Sequence, residues 1–278
     1  MKNVPLDIGV LGLGIIGGRV AGHLGAAGHR VHVWSRTGKA GALTSPRAVA
    51  EAAQVLQVFV RDSAALIETL RDLAPVLTPE HLVLNHATVS KAAVLEAARL
   101  CAESGAGFLD APFTGSKMAA QNARLVYYVG GDAALLERAR PVLELSSVKI
   151  LHLGEVGDAM VLKIVTNLIT AVTVKALAEA AAITRVEGVP LTALQTALEA
   201  NANHSPLLAM KLPALMQDDF EPHFALVNML KDADFACELA AGAGLSTPAL
   251  DCTAAALRSA AEAGFGDLDF SVIGRLQA

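Results

Sequence analysis

The chain has 278 residues, of which 53% are hydrophobic and 18% charged, with a formal net charge of −5. This length allows one or two domains with a sizeable core, and mild acidity without a basic run argues against nucleic-acid binding. No segment reaches the roughly 20 charge-free apolar residues that span a bilayer, and the distant Cys101, Cys237 and Cys252 lack metal-ligand spacing, so we expect a cytoplasmic protein with free thiols and no metal.

The first recognisable feature is a glycine-rich turn between a short apolar run, Asp7–Leu11, and an apolar-periodic helix. The turn reads Gly12-Leu13-Gly14-Ile15-Ile16-Gly17, and a second strand follows at Val31–Trp34. In this context the first glycine permits the turn, the second admits a pyrophosphate and the third lets the helix pack on the strand. Free N–H groups at the helix N-terminus would face the phosphates. The pattern predicts dinucleotide binding.

The end of the second strand indicates which dinucleotide is bound. An NAD site usually places a carboxylate here for the ribose 2′-hydroxyl, but this chain has Ser35-Arg36-Thr37. An arginine between two hydroxyl groups suits a 2′-phosphate, so NADPH is favoured over NADH. The alternative is that Arg36 is only a solvated loop residue.

Strand and helix patterns continue to alternate as far as residue 151. This alternation predicts a Rossmann domain with a doubly wound, mostly parallel sheet. The predicted strands are Val55–Val60, His81–Leu84, Phe108–Ala111, Leu125–Gly130 and Val148–Leu151, and the predicted helices are Pro46–Ala53, Ser63–Leu73, Lys91–Glu103 and Ala133–Leu145. Ligands of such sheets lie beyond the carboxyl ends of the strands, where Arg61, the segment Asn85–Ser90 and the Pro/Gly turn Asp110–Lys117 are found.

A long apolar helix is predicted between Gly157 and Gly188, glycines that act as helix-stop signals. Lys163 and Asn167 lie one above the other on this helix because they are separated by four residues. Taken alone, Lys163 fits a lysine that snorkels to the surface along its own stem. After Gly188 the pattern is purely helical, which predicts an all-α domain at 158–278 joined by this helix to a nucleotide-binding domain at 1–157. Its helices are predicted at Leu191–Ala200, Pro206–Met216, Leu226–Gly242, Pro248–Ala263 and Ser271–Leu276.

Over nearly its whole length the chain resembles the β-hydroxyacid dehydrogenases, the family of 3-hydroxyisobutyrate dehydrogenase. The resemblance rests on the glycine turn 12–17, the motif DAPFTGS at 110–116, the spacing of Gly157, Lys163 and Asn167, and the pair Lys231-Asp232. Residues 34–37 and 115–117 are most similar to the glyoxylate/succinic semialdehyde reductase branch, which typically uses NADPH.

The resemblance implies a role for each matching residue. Lys163 would be the catalytic general acid or base, and Asn167 would hold the substrate. Thr114, Gly115 and Ser116 would bind the substrate carboxylate. The resemblance also implies that Thr88 and Lys231 contact the nicotinamide end of the cofactor, and that Thr88 lies beside the substrate as well. Val60 and Arg61 would lie under the cofactor.

Several positions depart from the family pattern. Asn85-His86-Ala87-Thr88 stands where Asp-x-Ser-Thr is usual, and Ala159 replaces a glycine. Arg61 and Phe113 stand where smaller residues are common. Arg61 could add a cation for an acidic substrate or contact the cofactor phosphates, and His86 could be a pocket residue or an ordinary strand-end histidine. These departures leave the substrate open.

The combined pattern predicts an NADPH-dependent oxidoreductase acting on a small carboxylate-bearing aldehyde or hydroxyacid. The alternatives are an imine reductase, which usually lacks this lysine, and a non-catalytic NADPH-binding sensor or scaffold. The Ala- and Val-rich surface of the long helix predicts a homodimer or homotetramer.

Overall fold

The computed structural model describes residues 4–277, with the side chain of Gln277 excepted. The chain forms two compact units, of which the first extends to Lys163 and the second begins at Ile164. The boundary therefore falls inside the long helix rather than in a linker.

The first unit is built around a five-stranded parallel sheet with the strand order β2-β1-β3-β4-β5. Its strands are β1 (Asp7–Leu11), β2 (Arg30–Trp34), β3 (Val55–Val58), β4 (Leu82–Asn85) and β5 (Gly107–Asp110). The connecting helices are α1 (Gly17–Ala26), α2 (Pro46–Ala52), α3 (Ser63–Leu73) and α4 (Lys91–Ala102). Strands β3 and β4 are buried throughout, as is typical of a parallel sheet covered by helices. The doubly wound fold is confirmed.

A separate three-stranded sheet follows, and it corrects the expectation that all strands belong to one sheet. It contains β6 (Phe113–Thr114), β7 (Leu125–Val129) and β8 (Ser147–His152), with α5 (Lys117–Gln121) and α6 (Ala133–Leu143) between them. Strand β6 is antiparallel to β7, and β7 is parallel to β8. Only residues 115–124 separate β6 from β7, which is too short for the crossover that parallel neighbours need.

Side-chain caps explain where several helices of this unit begin. Ser45, Asp62, Ser90 and Asp132 each accept a backbone N–H in the first turn of the helix that follows them. Such caps satisfy N–H groups that have no partner inside the helix.

The long helix, α7 (Asp158–Val186), has 29 residues, as the bracketing glycines predict. By length and composition it is long and apolar enough to cross a membrane, with a mean hydropathy of 1.6 over its most apolar window, of which 33% is buried. This is weak support for a membrane span, because the core helices of soluble proteins can be equally long and apolar.

The second unit continues from α7 with four further α-helices: α8 (Leu191–Glu199), α9 (Pro206–Gln217), α10 (Leu226–Gly242) and α11 (Pro248–Ala260). A π-helical turn follows at Ala261–Phe265, and the last described segment, Phe270–Gln277, is a 3₁₀ helix rather than the expected α-helix. A buried ion pair between Lys211 and Asp269, 2.7 Å from Nζ to Oδ1, ties α9 to the residue that directly precedes that segment.

Candidate functional site

The glycine turn between β1 and α1 has the geometry that its sequence predicts. Gly12 has a φ of +104°, and a Cβ there would lie 2.1 Å from the Phe59 carbonyl oxygen, so no other residue fits. A Cβ on Gly17 would lie 2.1 Å from the Gly12 carbonyl oxygen, whereas one on Gly14 would meet nothing within 4 Å. Helix α1 begins without a side-chain cap. The turn thus leaves open space above Gly14 at a helix N-terminus, which fits a dinucleotide pyrophosphate.

The three residues that follow β2 differ in their exposure to solvent. Arg36 and Thr37 are exposed, whereas the Ser35 hydroxyl is buried and has no hydrogen-bond partner within residues 4–277. Lys39, which the sequence reasoning missed, donates from Nζ to the Leu13 carbonyl oxygen at 2.6 Å. Its position two residues beyond Thr37 could have marked Lys39 as a second cation near the expected 2′-phosphate. Arg36, Thr37 and Lys39 are therefore the groups at this end that an added phosphate could meet.

Other predicted residues follow the carboxyl ends of β3 and β4, at the same edge of the sheet. Val60 and Thr88 are half-buried. Arg61 has a side chain that is 74% exposed and pairs with Asp62, 3.0 Å from Nε to Oδ2. Asp62 in turn caps α3, so Arg61 is an exposed residue beside a helix start.

His86 is a buried structural residue, so its reading as a pocket residue is wrong. Its Nδ1 lies 2.7 Å from the Ala111 carbonyl oxygen and its Nε2 lies 3.0 Å from Gln57 Oε1, and its ring stacks on Phe59 at 4.5 Å. Burial lowers the pKa of His86 to about 4, so the ring is neutral at pH 7 and carries one N–H. The ring can therefore donate only one of these two hydrogen bonds. If Nδ1 donates to the Ala111 carbonyl oxygen, Nε2 is an acceptor, and the Gln57 amide must present its nitrogen to it.

The turn after β5 carries the residues expected to bind a carboxylate. Thr114 ends β6 and is half-buried, and Gly115 has a φ of +134°. The Ser116 hydroxyl accepts the Ala119 N–H at 3.3 Å and so caps α5. This bond uses the hydroxyl oxygen as an acceptor, and the hydroxyl proton can still be donated.

Asp110, at the end of β5, connects this region to α7. Its side chain is fully buried, and Oδ2 accepts the N–H of Met160 at 2.8 Å. Burial raises the pKa of Asp110 to about 7, while the N–H groups of Met160 and Gly157 and the Asn85 amide lower it. Asn85 is the register partner of Asp110 in the sheet. An amide at 85 therefore avoids placing two carboxyl groups side by side in the core, which gives the departure from the family pattern a structural reason.

Lys163 lies one turn after Met160 on α7 and is only 9% exposed. This burial argues against a lysine that only snorkels to the surface, because such a side chain exposes its charged end to water. Four residues later, Asn167 donates from Nδ2 to Asp232 Oδ2 on α10 at 2.6 Å, which leaves its carbonyl oxygen for other contacts.

Asp232 joins Asn167 to Lys231 within the second unit. Lys231 Nζ lies 2.9 Å from Asp232 Oδ1 and 5.1 Å from the centre of the Phe235 ring. The sequence reasoning used Asp232 to recognise the family but gave it no role. Asp232 is buried, so this is not an ordinary ion pair on a solvated helix surface.

The described residues contain no group of three or more His, Cys, Asp or Glu side chains that could hold a metal. The three cysteines are free, and burial raises the pKa of Cys101 to about 12. The arrangement therefore offers a nucleotide cradle, a hydroxyl-bearing turn and a lysine whose side chain is largely buried.

Comparison with known proteins identifies two family models that together span the chain. Residues 7–154 match the NAD-binding domain of 6-phosphogluconate dehydrogenase, and residues 157–276 match the NAD-binding domain of NADP-dependent 3-hydroxyisobutyrate dehydrogenase.

Individual relatives match over the same length. Glyoxylate/succinic semialdehyde reductase 1 of Arabidopsis thaliana is 27% identical, spanning 96% of this chain and 97% of that protein. A probable 3-hydroxyisobutyrate dehydrogenase of Mycobacterium tuberculosis is 30% identical over 96% of each chain. The structure of M. tuberculosis 3-hydroxyisobutyrate dehydrogenase with L-serine superposes with a TM-score of 0.90 at 28% identity, covering 98% of this chain and 99% of that one. The chain is therefore an oxidoreductase that belongs to the β-hydroxyacid dehydrogenase family.

Proposed function

We propose that the protein uses NADPH to reduce a small aldehyde or keto acid that bears a carboxylate, with Lys163 as general acid. The observation that carries this proposal is the burial of the Lys163 side chain, which is only 9% exposed. It lies on a helix whose first turn is bonded to Asp110, at the strand end that leads to Thr114.

The cofactor assignment is supported by the open cradle at Gly14 and by the absence of a carboxylate from Ser35-Arg36-Thr37. The glycine turn would hold the pyrophosphate, and Arg36, Thr37 and Lys39 would meet the 2′-phosphate. Val60, Arg61, Thr88 and Lys231 would contact the rest of the cofactor. When bound, NADPH supplies the hydride that reduces the carbonyl carbon.

The substrate class is supported by the turn 114–116, where hydroxyl and backbone N–H groups suit a small carboxylate. Glyoxylate, succinic semialdehyde and tartronate semialdehyde all carry a carboxylate, as do 3-hydroxyisobutyrate and the aldehyde formed by its oxidation. Lys163 would donate a proton to the carbonyl oxygen as negative charge develops there, and solvent would then restore the ammonium. In the oxidative direction neutral Lys163 would accept the hydroxyl proton. Asn167 would position the substrate oxygen through its side-chain carbonyl or amide.

The test compares two buried lysines on the same helix. We expect Lys163→Ala to lower kcat by about 10²- to 10⁴-fold, the usual contribution of a general acid, while the Kd for NADPH stays within about twofold. Lys175→Ala is the matched control, because Lys175 is equally buried on α7 and lies about three helical turns beyond Lys163, where it pairs with Glu179. It should lose thermal stability and keep kcat. Equal losses of kcat in both variants would contradict the catalytic role.

A substrate panel separates this function from its alternatives. NADPH oxidation would be followed with glyoxylate, succinic semialdehyde, tartronate semialdehyde, methylglyoxal and a cyclic imine. Turnover of the imine alone would identify an imine reductase, and NADPH binding without turnover would identify a sensor or scaffold.

We also propose that the protein assembles as a homodimer or homotetramer through α7. Val165, Ile169, Ala176, Ile183 and Val186 are exposed on this helix at helical spacing, and exposed apolar stripes of this kind are typical of interfaces.

A further inference from the structure

The backbone of Asp110 is held more firmly than that of an ordinary strand end. Its N–H donates to the Gly130 carbonyl oxygen at 3.0 Å, and its own carbonyl oxygen accepts the Gly130 N–H at 2.7 Å. These bonds add to the β4–β5 ladder. The carboxylate therefore projects from a fixed point in the first unit.

The start of α7 is tied to this fixed point by one strong contact and two supporting contacts. The Met160 N–H donates to Asp110 Oδ2 at 2.8 Å. Met160 also accepts the Val89 N–H through Sδ at 3.5 Å, and a Cβ on Gly130 would lie 2.4 Å from the Glu155 carbonyl oxygen. The chain from Glu155 to Met160 thus lies directly on the ends of β5 and β7.

The position of this turn determines the position of Lys163. Lys163 is three residues beyond Met160, so it lies about 4.5 Å further along the same rigid helix. A shift or rotation of the first turn reaches Lys163 undiminished. Thr88 directly precedes Val89, and Thr114 follows Asp110 by four residues, so both anchoring contacts belong to the segments that carry the threonines used by the proposed function.

We propose that Asp110 is a positioning residue, which holds the first turn of α7 through the Met160 N–H and so sets where Lys163 lies relative to Thr88 and Thr114. This inference rests on the proposed function. Asp110 does not touch the reacting atoms, and its effect passes through the helix.

The chemistry of the contact predicts which substitutions are tolerated. Oδ2 accepts the Met160 bond when the carboxyl group is ionised and also when it is protonated on Oδ1, so protonation at Oδ1 leaves this bond intact. Asp110→Asn retains an oxygen of the same reach. Asp110→Ala removes the acceptor and leaves a buried N–H without a partner. The acceptor, rather than the charge, should matter.

The experiment compares three single variants of the wild-type protein: Asp110→Ala, Asp110→Asn and a control that removes a different helix cap. Asp132→Ala is the control, because Asp132 caps α6 by accepting two N–H groups and α6 carries none of the proposed site residues. We would measure kcat, the Kd for NADPH and the hydrogen exchange of peptides covering residues 155–165. Asp110→Ala should speed exchange in these peptides and lower kcat by about 10- to 100-fold, the effect of a misplacement near 1 Å, with the Kd for NADPH within about twofold. Asp110→Asn and Asp132→Ala should both keep kcat within about threefold.

Wild-type kcat in a folded Asp110→Ala protein would overturn the inference. Equal losses in Asp110→Ala and Asp110→Asn would also overturn it, as would a matching loss in Asp132→Ala. If Asp110→Ala does not fold, Asp110→Ser takes its place, since its hydroxyl is too short to reach Met160 and the same loss is expected. If the wild-type protein reduces none of the carbonyl acids, the proposed function fails, and unchanged exchange in Asp110→Ala would separately show that the anchor is absent.

Discussion

Among single residues, Arg36 is the group on which the proposed preference for NADPH most directly depends. It is exposed beside the glycine turn and no carboxylate accompanies it. A guanidinium paired with a 2′-phosphate gains charge-assisted hydrogen bonds that NADH cannot make.

We expect Arg36→Ala to raise the KM for NADPH by about 10- to 100-fold, because a hydrogen bond to a charged group contributes about 1.5–3 kcal/mol. The KM for NADH should stay unchanged. Steady-state kinetics with both cofactors provide the measurement, and Arg47→Ala, which removes an exposed arginine from α2, is the control. A parallel rise for both cofactors would mean that Arg36 does not recognise the 2′-phosphate.

Two buried residues of the first unit should make stability depend on pH in opposite directions. The pKa of His86 is lowered from 6.5 to about 4, because burial disfavours the imidazolium ion. The unfolded chain therefore binds this proton more readily between these pH values, and stability is lost as the pH falls from 6.5 to 4. The pKa of Asp110 is raised from 3.8 to about 7, mainly by burial. Its contribution is full below pH 3.8 and is lost as the pH rises to 7.

Single substitutions should separate the two effects, which at 1.4 kcal/mol per pKa unit are worth at most about 3.5 kcal/mol for His86 and about 4.5 kcal/mol for Asp110. Relative to wild type, His86→Gln should gain thermal stability as the pH is lowered from 7 to 4.5. Asp110→Asn should gain stability as the pH is raised over the same range. Thermal midpoints measured at half-unit pH intervals test this. If the difference in thermal midpoint from wild type changed with pH in the same direction for both variants, the opposite pKa shifts of His86 and Asp110 would be contradicted.

At the scale of elements, the loop between β1 and α1 allows folding and cofactor binding to be separated. Gly12 has a left-handed φ and contacts the Phe59 backbone, whereas Gly14 faces open space. The same substitution should therefore have different consequences at positions two residues apart.

We expect Gly12→Ala to destabilise the first unit by several degrees in thermal midpoint, because strain and a backbone clash act together. Gly14→Ala should leave the midpoint of the free protein unchanged and raise the Kd for NADPH by at least about tenfold, since its methyl group takes the space of the pyrophosphate. Thermal unfolding and fluorescence titration measure the two effects. Tight NADPH binding by a folded Gly14→Ala protein would mean that the phosphates lie elsewhere.

At the scale of the whole molecule, the proposed assembly depends on the exposed stripe of α7. Ile183 is 65% exposed and lies sixteen residues beyond Asn167 on this helix. A single exposed apolar residue is normal, but a stripe along one helix is typical of an interface.

We expect Ile183→Glu to shift the protein toward monomer at micromolar concentration, because a carboxylate is costly to bury in an apolar interface. Light scattering coupled to size-exclusion chromatography gives the mass. Leu245→Glu is the control, since Leu245 is equally exposed but lies outside α7. A monomeric wild-type protein, or dissociation by both substitutions, would count against assembly through α7.

Features that follow from local patterns could be predicted from the amino-acid sequence. Alternating strand and helix periodicity gave the order of the Rossmann elements, and bracketing glycines gave the length of α7. Helical spacing placed Lys163 and Asn167 on one face. Each of these depends on residues close together in the chain, where periodicity and turn chemistry are sufficient.

Contacts between distant groups, in contrast, depend on how the whole chain packs. Asp110 and Met160 are 50 residues apart, and Asn167 and Asp232 are 65 apart, so no local pattern reveals either bond. The burial of His86 and the separate second sheet likewise depend on packing between distant segments. Burial and hydrogen bonding of this kind change the energy of an ionisable group by several kcal/mol, and for this reason the roles of Asp110, His86 and Asp232 could not be read from the chain alone.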